Sequence, residues 1–201
     1  MHKTCLKTLL STCLLGLVFT ASADYEDGVN AALAGDYATA SREFAAAAEA
    51  GLDLAQYNLG ILYYSGQGVD QDFSLAFKWT EAAALQGHVD AQFNLGILYI
   101  EGTGVDEDLD QALSWLGRAA RGGHAIAAFD LAMMYHQGDP VDKNAVLAHA
   151  WASQSVHNAF EDGQALKDEI EERMDPQQLS QARRLYATWQ IEALPPILPA
   201  R

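Results

Sequence analysis

The chain has 201 residues, half of them hydrophobic, with 27 acidic side chains against 12 basic ones and a formal charge of −15. Such an acidic surface repels phosphate backbones and anionic lipid headgroups, so no nucleic acid and no lipid surface is expected among its partners, and a basic partner is favoured. The length suffices for one elongated domain with a continuous core.

Residues 1–23 read as an export signal. Lys3 and Lys7 give a basic start, Leu9 to Thr20 is a mostly apolar run, and Ala21-Ser22-Ala23 fits a small-residue cleavage site, with the cut expected between Ala23 and Asp24. The run is too short to span a membrane stably, and the sequence before Cys13 is a poor lipoprotein signal. Cleavage removes both cysteines, Cys5 and Cys13, and leaves ten basic side chains against 27 acidic ones, a formal charge of −17. The exported product then has no thiol, no disulfide and no cysteine metal site. It also has no Asn-x-Ser/Thr acceptor. A bacterial periplasm is the compartment these features fit, with no membrane insertion after cleavage.

Residues 24–51 read as a capping helix pair: Gly35 closes one helix, Asp36 caps the next, and Ala40, Phe44 and Ala47 recur at helical spacing. Residues 52–162 hold three copies of one 36-residue unit, 55–90, 91–126 and 127–162. The first two copies are identical at 19 of 36 aligned positions; the third is eroded but keeps Leu131, Tyr135, Gly138, Ala148 and Trp151. A fixed period of this length marks a solenoid. Each copy reads as two helices. In the first, Ala55, Leu59, Leu62 and Tyr63 share one face while Tyr57, Ile61 and Tyr64 share roughly the opposite one, so this helix is apolar on two sides. Asp72, Asp108 and Asn144 are expected to cap the second helices, with Asp108 and Gln111 forming a capping-box-like pair. Alanines allow close helix approach, and Trp79, Trp115 and Trp151 are expected to fill space between repeats. Residues 163–192 read as two closing helices, one charged and one opened by Asp175, Pro176 and Gln178 as N-cap, N1 and N3. Residues 193–201 are a proline-rich tail, expected to be flexible.

The pattern AQYNLGILYYSGQGV, followed by the spaced Asp, Ala, Trp, Ala-Ala and Gly of residues 55–90, resembles the Sel-1-like repeat family, relatives of the tetratricopeptide repeats. The resemblance covers roughly residues 25–189. It implies an all-α, right-handed α-α solenoid of stacked helix pairs. It also implies the work of an adaptor or scaffold, because the motif residues are structural ones.

Sites for chemistry are sparse. The acidic loop from Asp106 has Gln111 where an EF-hand needs Gly and Gly117 where it needs Glu, so calcium is not expected. His88 and His124 occupy one repeat position and read as structural, while His149 and His157 lie two helical turns apart, too far to share a metal by themselves. There is no G-x-S-x-G elbow, S-x-x-K motif or exported cysteine nucleophile. The expectation is therefore no catalytic residue, no cofactor and no metal. Some cysteine-rich members of the resembled family are linked to β-lactam hydrolysis, but the exported chain lacks those cysteines. The competing reading is a periplasmic hydrolase of cell-wall material.

The repeats provide their own control for a binding surface. Positions identical in both strong copies, such as Leu59 and Leu95 or Trp79 and Trp115, build the unit, whereas differing positions on the same helix are free to meet a ligand. Tyr64, Ile100 and His136 share one such position, and Ser65, Glu101 and Gln137 share the next. The resemblance places them near the C-terminal end of the first helix, on a concave surface. They are the expected partner-binding stripe of a monomeric, non-catalytic module for an envelope protein or peptide.

Overall fold

The computed structural model describes residues 22–192, all of whose regular elements are helices. The expected leader up to residue 21 and the proline-rich tail from residue 193 lie outside the described residues. Ser22 and Ala23, on the leader side of the expected cut, are exposed. The chain divides between Leu109 and Asp110 into two compact units.

The first unit contains α1 (22–33), α2 (Tyr37–Glu49), α3 (Asp53–Ser65), α4 (Phe73–Leu85) and α5 (Val89–Glu101). Within it α2 packs on α3, α3 on α4 and α4 on α5. Its core is small and tight. Ala40, Phe44, Ala47, Ala48, Ala55, Leu59 and Leu62 are buried, with Tyr25, Val29 and Tyr63 packed around them. Alanine and glycine at the contacts bring backbones together. A Cβ at Gly60 would lie 2.8 Å from Thr80 Oγ1, so α3 and α4 meet closely there only because residue 60 has no side chain. Trp79 is only partly buried, under a Lys78 ammonium 4.7 Å from its ring centroid, and so fills space less completely than the sequence predicts.

The second unit contains α6 (Leu109–Arg121, whose first residue falls at the division), α7 (Ala125–Gln137), α8 (Ala145–His157), α9 (Gly163–Glu171) and α10 (Pro176–Glu192). Helix α8 is its centre, packed against α7, α9 and α10. Trp115 and Trp151 are buried, and Trp151 lies 4.1 Å from Trp189 between ring centroids. Helix α9 is shorter than its charged sequence suggests and stops at Glu171. The capping box at α10 forms reciprocally: Gln178 N–H donates to Asp175 Oδ1 at 2.8 Å, and Asp175 N–H donates to Gln178 Oε1 at 3.1 Å.

Each unit also shows locally how the 36-residue period is written into the backbone. The first helix of each copy ends on a left-handed glycine, Gly66, Gly102 or Gly138. The loop that follows is closed by the N–H of the next cap, Asp72, Asp108 or Asn144, donating to the carbonyl of Tyr63, Tyr99 or Tyr135. The side chains of Asp72 and Asn144 then cap α4 and α8, each accepting at 3.0 Å. A second series satisfies a carbonyl in the last turn of a helix. Gln56 donates to Ala48 O and Gln92 to Ala84 O. In the third copy Ala128 stands where a glutamine would be, and Asn158 donates to Ala120 O at 2.8 Å instead. The polar group is supplied from a different element, which keeps the carbonyl paired.

Candidate functional site

An open groove of about 340 Å³ lies in the first unit, mainly between α3 and α5. The double apolar face of the first helix in each repeat creates it. One face of α3 enters the core through Leu59 and Leu62, and the other leaves Ile61 and Tyr64 exposed at 37% and 43%. Phe93 and Ile97 bring the equivalent face of α5 to the groove. Gly60 and the buried Thr80 line its interior, and the exposed carboxylate of Glu101 is among its walls. Tyr64 is held edge-on by Phe73, with ring centroids 5.5 Å apart, so its phenol ring is presented at the surface in a fixed attitude.

The predicted stripe is distributed unevenly. Tyr64, Ser65 and Glu101 line the groove together. Ser65 is partly committed to its own helix, donating to Ile61 O at 2.9 Å. Ile100 is half-buried and is not among the residues lining the groove. His136 and Gln137 belong to the second unit. His136 Nε2 lies 3.3 Å from Glu169 Oε1, and Gln137 is exposed. Ile61, Phe93 and Ile97 are groove residues that the comparison of copies passes over. Ile61 and Ile97 are identical between copies, which on sequence grounds assigns them to building the unit. Their signal was present in the second apolar face of the helix.

His88 and His124 are structural, as their shared repeat position suggests, but the structure adds their role. Each ring caps the first helix of the following repeat: His88 Nδ1 accepts from Ala91 N–H at 3.2 Å, and His124 Nδ1 accepts from Ala127 N–H at 3.1 Å. Tyr57 stacks on the His88 ring at 4.4 Å. Around these elements burial pushes up the phenols of Tyr57, Tyr99 and Tyr135 and the carboxyl of Asp130. Among the described residues no group of three His, Cys, Asp or Glu side chains is placed to hold a metal ion. No described helix is long and apolar enough to cross a membrane.

Helix pairs repeating every 36 residues, joined by glycine-closed loops, define a helical repeat protein. The Sel1 repeat profile matches residues 53–88, 89–124 and 125–158, more than half of the chain, and the protein belongs to the Sel1 repeat family. The profile's units start where α3, α5 and α7 start. Among solved structures, a protective antigen of uropathogenic Escherichia coli with an SLR fold is 30% identical, with a TM-score of 0.71 over 86% of this chain and 38% of that one. A Sel1 repeat protein from Oxalobacter formigenes is 26% identical, with a TM-score of 0.69 over 86% of this chain and 72% of that one. The chain thus spans little more than a third of the Escherichia coli antigen. No curated protein matches it. Sel1 repeat proteins generally mediate protein–protein interaction and are typically non-catalytic scaffolds.

Proposed function

We propose that this chain is an exported, monomeric, non-catalytic module of the bacterial periplasm. On this reading its α3–α5 groove takes an extended segment of an envelope protein. The groove itself carries the proposal: apolar walls from Ile61, Tyr64 and Ile97 lie beside the Glu101 carboxylate on a chain of charge −15. An apolar side chain would anchor in the groove while a neighbouring lysine or arginine meets Glu101, the usual division between a buried anchor and a charged rim. The acidic surface would speed the encounter with such a segment.

The test is a photo-crosslinking amino acid placed at Ile61 in the full chain, expressed in its native cell. A discrete protein adduct is expected from the periplasmic fraction. Tyr64→Ala with Glu101→Lys in the same chain is expected to remove the adduct while leaving the melting midpoint near the parent value. An adduct that persists in this double variant would show that the groove is not the binding surface. Sequencing of the product's N-terminus tests export separately, with Asp24 expected as the first residue.

A further inference from the structure

A second cleft lies wholly within the second unit and has the opposite character. An open depression of about 400 Å³ lies among helices α8, α9 and α10, within the size range of small-molecule sites. His149, Ser153 and His157 recur every four residues along one face of α8, Lys167 comes from α9, and Arg183 and Tyr186 come from α10. No carboxylate lines the cleft. In a chain with 27 acidic residues and 12 basic ones, a cleft walled by a lysine, an arginine and two histidines runs against the surface average.

A neighbouring carboxylate, Glu171, is engaged by two partners. Glu171 Oε2 lies 3.0 Å from His149 Nε2, and Glu171 Oε1 accepts from Arg183 at 2.9 Å. A carboxylate in this arrangement accepts on both oxygens, so Nε2 of His149 carries the proton. The ring is 1% exposed, and its Nδ1 is buried without a hydrogen-bond partner. Lys167 is half-buried and forms no ion pair with any described carboxylate. Burial pushes the Tyr186 phenol up, so it remains a hydroxyl donor at neutral pH. Arg183 keeps guanidinium N–H groups beyond the one given to Glu171. The cleft therefore offers a lysine with no direct ion pair and several donors to whatever enters, while the Glu171 carboxylate is bonded to Arg183 and His149 and feels the Lys167 charge only at longer range.

We propose that this cleft binds a small oxyanion, a carboxylate or a phosphate, through Lys167 with Arg183 and Tyr186 as further donors. The occupant is a small molecule separate from the protein segment assigned to the α3–α5 groove. Charge-assisted bonds to an oxyanion are the strongest contacts such a donor set can make.

The experiment is a titration of the full chain with inorganic phosphate and, separately, with acetate, read by the ring ¹⁵N signals of His149. Sodium chloride at matched ionic strength is the reference. A saturable shift with one of the two anions is expected, and which one responds assigns the oxyanion class. Lys167→Met is expected to weaken binding by about tenfold or more, the range for a lost hydrogen bond to a charged group. Lys167→Arg should retain it. Lys143→Met, which removes the same charge elsewhere in the unit, should leave it within about twofold, as expected for a screened and distant charge. All variants should melt near the parent temperature. A response equal to that of chloride, or equal losses in Lys167→Met and Lys143→Met, would overturn the proposal.

Discussion

His149 shows how one buried side chain couples the second unit to pH. Desolvation lowers its pKa below the ordinary 6.5, against the opposing pull of Glu171. The bond from His149 in turn holds Glu171 below its ordinary 4.5. Both shifts favour the deprotonated side chain in the folded state, so the unfolded chain binds protons more readily and stability falls with acid. For His149 the loss begins as pH drops through 6.5 and continues to the lower folded pKa; the Glu171 contribution follows below 4.5. Thermal midpoints measured from pH 7.5 to 4 should therefore decline, and His149→Gln should flatten the upper part of that limb. A parallel decline in the variant would place the titration elsewhere. At the same scale, the His124 cap should behave as any N-cap acceptor. His124→Ala is expected to cost about 1 kcal/mol and His124→Asn only a few tenths, by chemical denaturation.

Repeats are held at the scale of elements by what is missing from side chains as much as by what is present. Gly104 has φ +75, and a Cβ there would overlap the Phe73 carbonyl at the start of α4. Gly68, one period earlier, meets the Tyr37 carbonyl at the start of α2 in the same way. Gly87 has φ +95 but open space around it. Gly87→Ala should therefore cost only the backbone strain of about 1–2 kcal/mol, while Gly104→Ala should cost clearly more, because the loop must also lift off α4. Tryptophans at one repeat position should likewise differ. Trp115 is 7% exposed beneath the Arg118 guanidinium, and Trp115→Ala should cost about 3–5 kcal/mol. Trp79 is partly exposed, so Trp79→Ala should cost less. Equal costs for the two would mean that Trp79 is buried in solution.

For the whole molecule, the acidic balance and the family point the same way, towards a binding role. A basic peptide segment bound at the groove should be held less tightly as salt rises, because Glu101 and the surrounding negative field are screened within about 8 Å at physiological ionic strength. Its affinity, measured by fluorescence anisotropy between low and high salt, should fall. Tyr64→Ala should weaken binding at every salt concentration without changing that slope, since it removes an apolar anchor rather than a charge. A slope that changes with Tyr64 and not with Glu101 would reverse these roles.

The 36-residue period and the helical class could be read in the chain because both are local regularities. Glycine at the loop, Asp or Asn at the cap and an apolar stripe each act within one turn or one unit, so residue order alone displays them. The caps by Asp36, Asp72, Asn144 and Asp175 were legible for the same reason. Other features required side chains to be placed in space. Nothing in order alone says that His88 and His124 cap helices, that Asn158 stands in for a missing glutamine, or that Ile61 and Ile97 meet across a groove. Comparing copies separated shared residues from variable ones, but Ile61 and Ile97 are shared and still partly open to the groove. Only the packing of α3 against α4, and of α4 against α5, decides which side of each helix is core and which side remains open. The cationic cleft is the extreme case. His149 and Arg183 lie 34 positions apart in sequence, with Lys167 between them, and the three share no motif; they converge because α9 and α10 both pack on α8.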